Sequence, residues 1–389
     1  MQLISKKAVI TLLLGIGLLF SEHLLSQEYN PIPVAVPSLQ IAPDARGGGM
    51  GDIGAASMPD VYSQYWNAAK YPFVSSNAGF AVSYTPWLSK LVSDINLMYA
   101  SGYWKFGYDN LNAISASLRY FSLGEVNIFD PSTDFLMSVS PNEFAFDFAY
   151  SRRLSQTFSG AVTLRYIHAD YSTGDDDVTP GNAFAADISG YNESYVNIGR
   201  SEALLGFGFN ISNIGTKISY DGGNTSMFLP TNLRLGASIG LPLDNRNTLS
   251  FSADINKLLV PTPPLFEEGE TEEEKQKKID DYNSISPING IFKSLADAPG
   301  GFKEEMQEVV WSIGAEYTYN NQFSIRTGYY NENEYKGNRR YFTFGAGFRM
   351  RGFQIDAAYL VSTAQSNPLD QTLRVSLGFD IDGLRQLMR

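Results

Sequence analysis

Phe144-Ala145-Phe146-Asp147-Phe148-Ala149-Tyr150 alternates without a break. In an extended chain Phe144, Phe146, Phe148 and Tyr150 share one face, and Ala145, Asp147 and Ala149 share the other. Such a strand lies between an apolar medium and a polar one. Two distant stretches repeat the pattern. Leu233, Leu235, Ala237, Ile239 and Leu241 alternate with Arg234, Gly236, Ser238 and Gly240, and Leu373, Val375, Leu377, Phe379 and Ile381 alternate with Arg374, Ser376, Gly378 and Asp380.

Working outward, the same period marks fourteen segments: about 78–87, 94–107, 111–123, 143–153, 156–171, 181–191, 200–213, 230–242, 247–258, 307–319, 322–333, 338–350, 353–364 and 370–382. A soluble sandwich also alternates, but its strands run to about five or six residues, whereas a tilted membrane strand needs about nine to eleven. The connections sort by side. Odd-numbered ones reach 48 residues, while even-numbered ones keep to between 2 and 8. Long loops on one rim and tight turns on the other mark an outer-membrane barrel. The expected fold is therefore all-β, a 14-stranded antiparallel transmembrane β-barrel with a short N-terminal hatch or plug segment. An even strand number puts both barrel ends on the periplasmic side, so both ends of the mature chain are expected there.

Composition fits this. The 389 residues hold 4 Trp, 23 Tyr, 25 Phe and 35 Gly, with only 18% charged residues and no Cys. Disulfides, thiolate metal sites and a cysteine nucleophile are excluded. Of two histidines, His23 falls in a leader and only His168 remains, which leaves no catalytic or metal constellation to assign. No cofactor is expected. A net charge of −12 argues against nucleic acid.

Residues 1–26 read as a signal peptide, with Lys6 and Lys7 before the apolar run Ala8–Phe20, too short to span as a helix. Residues 27–77 form the hatch or plug, and 78–389 the barrel. Outward strand positions end in Trp104, Tyr120, Tyr150, Tyr166, Trp311, Tyr317 and Tyr359, as interfacial girdles do. Inward positions carry Arg119, Arg165, Arg234, Arg326, Arg349 and Arg374 against Asp147, Asp254, Glu316, Asp356 and Asp380. Near-balance of sign suggests cross-lumen ion pairs and a blocked lumen; the alternative is that these charges line wet space.

Two regions stand outside the alternation. The first holds Gly47, Gly49, Gly51 and Asp52, then Trp66 and Asn67; a phosphate-loop reading fails for want of a preceding strand and a following Lys. The second is the long loop over 259–306, expected to be extracellular. Its acidic run Glu267–Asp281 reads as a solvated helix face, and Ile288, Ile291, Phe292 and Leu295 fall at helical spacing. That apolar face packs on the barrel's own rim, meets the lipid, or meets another protein together with Phe266 and Phe302.

The segment from Gly47 to Pro72, with Gly-Met-Gly-Asp-Ile-Gly-Ala-Ala and Tyr-Trp-Asn-Ala-Ala-Lys, resembles the hatch of FadL-like long-chain fatty-acid transporters. Where that hatch carries Asn-Pro-Ala, this chain has Asn67-Ala68-Ala69. Within those barrels the chain resembles the PorV (LptO) family of the type IX secretion system, at residues 37–47, Ala185-Ala186-Asp187, residues 254–263 and residues 297–302. The resemblance implies a shuttle that binds the C-terminal signal domain of secreted cargo at the translocon barrel and hands it to the surface sortase and attachment complex. The family name LptO also implies lipid A deacylation, and the FadL likeness a channel for hydrophobic small molecules. Outer-membrane lipid and lipopolysaccharide complete the expected partners.

Overall fold

A computed structural model of the chain describes residues 30–387, apart from 89–93, 131–134, 173–177, 200, 224, 267–268 and 365–368. The leader expected over 1–26 lies outside the described residues. No helix among the described residues is long and apolar enough to cross a membrane.

The alternating segments become strands β1 (Ala78–Pro86), β2 (Ile95–Phe106), β3 (Asn112–Leu123), β4 (Val126–Asp130), β5 (Phe135–Val139), β6 (Asn142–Arg153), β7 (Phe158–Asp170), β8 (Gly181–Ile198), β9 (Ser201–Gly215), β10 (Asn232–Pro242), β11 (Asn247–Leu258), β12 (Val309–Tyr319), β13 (Phe323–Asn331), β14 (Arg340–Met350), β15 (Phe353–Ser362) and β16 (Leu373–Asp380). Fourteen of them close into one antiparallel barrel, with β4 and β5 set aside as a hairpin in the connection between β3 and β6. Closure pairs β1 with β16, from Gly79 opposite Asp380 to Tyr84 opposite Val375. Consecutive neighbours pair throughout, so no strand edge runs the height of the wall.

The pleat sorts side chains between two media. In β6, Phe146, Phe148 and Tyr150 are exposed outward, while Ala145, Asp147 and Ala149 are buried inward. Trp104, Tyr150 and Tyr317 sit toward the short-turn rim, and Tyr120, Tyr166, Trp311 and Tyr359 toward the long-loop rim. Several anchor their hydroxyls on asparagines near strand ends, Tyr150 on Asn112 at 2.7 Å and Tyr166 on Asn182 at 2.7 Å.

Two of the boundaries that differ from the expected ones have a visible physical cause or consequence. β8 continues past residue 191 to Ile198, so the expected eight-residue turn contracts and the hairpin lengthens. β16 ends at Asp380, whose carboxylate accepts the N–H of Asp382 at 2.9 Å and of Gly383 at 3.2 Å. That acceptor starts a helix, Ile381–Leu387, where alternation had suggested strand.

Residues 30–77 fill the interior and form the core. The chain enters at the long-loop rim, where the Asn30 N–H donates to the Tyr335 carbonyl and the Ala35 N–H to that of Phe228. It turns at Pro37–Gln40, makes one helical turn at Ala45–Gly48, and passes through Ser63–Trp66 and Ala68–Phe73. It reaches the opposite rim where the Asn77 carbonyl accepts from the Lys105 N–H. The two ends of the described chain thus lie on opposite rims. Strand parity does place the starts of β1 and the end of β16 together, but the preceding residues traverse the whole lumen, which corrects the expectation of both ends on one side. Ala45, Ile53, Ala55, Ala56, Asn67, Ala69, Lys70 and Tyr71 are fully buried.

Wall and plug touch backbone to backbone. A Cβ added to Gly208 of β9 would lie 2.0 Å from the Ala55 carbonyl oxygen, and Gly51 takes φ +83° against the Tyr329 backbone. Among the cavities that remain, one of about 340 Å³ lies toward the long loops above Asp52, Tyr65 and Trp66, and one of about 310 Å³ toward the short turns beside Arg46, Met58 and Pro59. In planar bilayers the intact protein is expected to stay closed, and a variant lacking residues 30–58 to conduct. A steady open conductance from the intact protein would contradict the packing of the plug.

Candidate functional site

Charge is arranged around the plug. Arg46, in the Ala45–Gly48 turn, pairs with Asp60 at 2.5 Å and, through Nη2, with Glu316 of β12 at 3.0 Å. Glu316 meets Arg326 of β13 at 2.5 Å, Arg326 meets Asp356 of β15 at 2.7 Å, and the Tyr62 hydroxyl donates to Asp356 at 3.0 Å. The chain of charges leaves the plug, follows the wall and returns to the plug. Arg374 pairs with Asp52, which also accepts from the Tyr341 hydroxyl at 2.8 Å. Asp254 accepts the N–H groups of Gly54 and Ala55 at 2.9 and 3.0 Å. On the opposite wall Arg165 bridges Asp147 at 2.6 Å and Asp187 at 3.0 Å.

The remaining inward charges lie elsewhere. Arg119 donates to the Ser38 and Ile41 carbonyls and stacks over Tyr65 and Tyr99. Arg234 donates to Asn256 at 2.7 Å and stacks over Trp66, 4.6 Å from its centroid, and Tyr65. Arg349 donates to Gln354, and Asp380 accepts from Ser76 and caps the terminal helix. The ion pairs therefore run within the plug, from wall to plug, or between wall strands at most one strand apart, not across an empty lumen, because the plug occupies the space between facing walls. Sequence reasoning missed Asp44, Arg46, Asp60, Lys70 and Asp187. Arg46 and Asp44 were signalled by charges inside an otherwise small, apolar run, Ala42-Pro43-Asp44-Ala45-Arg46-Gly47.

The hatch residues form a tight knot. Asp44 accepts from the Gly47 N–H at 2.8 Å and the Trp66 indole N–H at 2.5 Å, and Gly49 abuts Gly345 of the wall. Asn67 donates to the Ala55 carbonyl at 2.9 Å and to that of Gly190 at 3.0 Å, so one side chain ties two plug segments to β8. Lys70, fully buried, donates to the Gly54 carbonyl at 2.8 Å and to Ser57 at 3.1 Å. Burial, with the negative charge of Asp60 next, pushes the Asp44 carboxyl up to about 6. Burial likewise holds the Lys70 ammonium down to about 8.

The long loop has a fixed root and an apolar crest. Lys257 at the end of β11 holds Glu305 at 2.8 Å and Glu308 at 2.7 Å, and Thr262 donates to Glu308 and to Asp297. Lys336 reaches across from the next loop to Glu304 and Glu308. An acidic helix, Glu272–Ser284, opens on a capping box from Thr271, and Pro287–Lys293 follows on a Ser286 cap. Gly290 packs against Phe228 and Pro261. Ile291 is half-buried, whereas Ile288, Phe292 (71%), Leu295 and Phe302 (81%) are exposed, as is Phe266. The helix ends at Lys293, so Leu295 lies beyond it. No group of three or more metal-ligating side chains forms among the described residues.

Comparison with known proteins adds a family. Residues 24–265 match the family described as "Type IX secretion system protein PorV". No curated protein matches the sequence. Among solved structures, the Pseudomonas putida toluene transporter TodX aligns at TM-score 0.48 and 10% identity, over 90% of this chain and 98% of that one. The Ralstonia pickettii toluene transporter TbuX aligns at 0.43 and 12%, over 87% and 97%. A Pseudomonas aeruginosa FadL homologue aligns at 0.42 and 11%, over 90% and 99%.

Arg46→Met is expected to destabilise the folded barrel by about 3–5 kcal/mol, because it leaves Asp60 and part of Glu316 uncompensated in the interior. Arg234→Met removes ring stacking, one amide contact and a positive charge near Asp254 but no direct ion pair, and is expected to cost less, about 0.5–2 kcal/mol. Urea unfolding followed by heat-modifiable mobility separates the two. Asp44 keeps its proton in the folded state between its ordinary 3.8 and about 6, where the unfolded chain has released it. Stability on its account falls as pH rises through that window, and Asp44→Asn should flatten that slope.

Proposed function

The chain belongs to the PorV family of type IX secretion system proteins, outer-membrane β-barrels, and from that premise we propose that it binds the C-terminal signal domain of secreted cargo at the translocon and carries it to the surface attachment complex. The observation that supports this reading is a division of labour. Inward charges are engaged with the plug or with other wall strands, and an exposed apolar crest outside the lipid belt stands on the long loop. The short-turn rim faces the periplasm and the long loops face outward. Residues 27–77 serve as a seal and scaffold, and Phe266, Ile288, Ile291, Phe292, Leu295 and Phe302 supply the partner surface. Exposed aromatic and aliphatic anchors of this kind mark interaction sites.

A channel for hydrophobic small molecules would have to displace a plug held by buried ion pairs at both faces. Lipid A hydrolysis lacks its machinery at the one mature histidine: His168 Nδ1 faces the Asn182 side-chain oxygen at 2.9 Å, an amide that neither activates a nucleophile nor serves as one.

The triple variant Ile288→Ser/Phe292→Ser/Leu295→Ser alters only exposed side chains and leaves the root of the loop intact. It is expected to assemble normally, to lose co-purification of cargo signal domains, and to cut release of secreted proteins several-fold. Unchanged release from cells with an assembled variant barrel would refute the assignment of the loop.

A further inference from the structure

The hairpin of β8 and β9 does what no other turn on its rim does. β7 pairs with β8 only as far as Phe158 opposite Asn192, and the last rung is the Glu193 N–H donating to the Thr157 carbonyl. β8 nevertheless runs on to Ile198, paired on its other side with β9, from Ser194 opposite Leu205 to Ile198 opposite Ser201. At other seams between hairpins on this rim the strands end nearly level, as with Asn112 opposite Arg152, Asn247 opposite Tyr319 and Phe323 opposite Phe348.

Backbone direction alternates along a strand, so the parity of the Glu193 rung turns the N–H and C=O groups of Tyr195 and Asn197 away from β9. They form an open edge below the β6–β7 turn, where Leu154 is 64% exposed. The faces of this ledge differ in chemistry. Glu193, Tyr195 and Asn197, with Glu202 opposite Asn197, share the face that continues the lumen wall. Ser194, Val196 and Ile198 share the other. Tyr195 and Ile198 are both exposed. Natural barrels abolish or blunt free edges, and this one carries no proline or lysine over 194–198.

We propose that residues 194–198 are a strand-addition site for an extended segment of a periplasmic partner protein. The segment that fits alternates basic or polar residues, on the face shared with Glu193 and Glu202, with apolar residues aligned with Val196 and Ile198. Main-chain hydrogen bonds to Tyr195 and Asn197 supply the binding, and the two faces supply the selection. Placement in the periplasm rests on the orientation proposed above.

The test exploits the direction of those two N–H groups. Tyr195→Pro/Asn197→Pro removes edge donors that make no bond within the hairpin, a substitution edge strands tolerate. Tyr195→Ala/Asn197→Ala removes the side chains and keeps the backbone. With a photo-crosslinking benzoylphenylalanine in place of Ile198, cells carrying the otherwise native barrel are expected to yield one defined heterologous adduct. It should fall on the order of ten-fold in the Pro variant, from the loss of two hydrogen bonds, and stay within about two-fold in the Ala variant. An equal adduct in the Pro variant, equal losses in both variants, an adduct of twice this chain's mass, or no adduct from a heat-modifiable, assembled barrel would each overturn strand addition. Labelling of Asn197→Cys by an impermeant maleimide on intact cells would instead overturn the orientation, and with it the periplasmic partner.

Discussion

Asp60, Arg46, Glu316, Arg326 and Asp356 form an unbroken series of alternating charge, with all five side chains at most 8% exposed. Two members belong to the plug and three to separate strands of the wall. Burying any one of them alone would cost several kcal/mol, and only the series as a whole offsets that cost. The barrel therefore cannot be described without its contents. A wall carrying Glu316, Arg326 and Asp356 inward is complete only when Arg46 and Tyr62 arrive between them. A plug carrying Arg46 is tolerable only inside that wall. Small residues on the inner face then follow as a consequence: Gly208 lets the Ala55 backbone approach, and a side chain at Gly347 would collide with Asp356 and Arg326.

The wall was legible because its signal is local. Lipid outside and polar contents inside impose period two on every strand, and seven residues such as Phe144–Tyr150 suffice to display it. Where the media change, the signal misleads. The expected strand stops at 191, whereas β8 runs on through Ser194–Ile198 past the neighbouring turn, and Ile381 keeps the parity of β16 although Asp380 has already turned the backbone into a helix. Partners inside the lumen were not legible for a different reason. Arg46 meets Glu316 across 270 positions of chain, and Arg374 meets Asp52 across 322. An inward arginine announces only that it must be compensated, not whether by the opposite wall, a neighbouring strand or a plug. Residue balance pointed to pairing, but the geometry of pairing depends on what fills the barrel.

The segments that carried the family resemblance turn out to be the joints of this arrangement. Residues 37–47 bring Asp44 and Arg46 into the lumen. Within 254–263, Asp254 holds the Gly54 and Ala55 amides, while Lys257 and Thr262 hold Glu305, Glu308 and Asp297. Residues 297–302 return the long loop to its root, where the Ala298 N–H donates to Glu305 at 2.8 Å. One strand, β11, thus grips the plug with Asp254 and the loop with Lys257, three residues further along. Plug and loop share a rigid support, so the loop's exposed crest stands on a foundation that the lumen fixes. A barrel that opened its lumen by releasing Asp254 would disturb the neighbouring hold on the loop as well. On the function proposed above, such a design holds one surface in shape for a partner to dock on, with the filled lumen as its support.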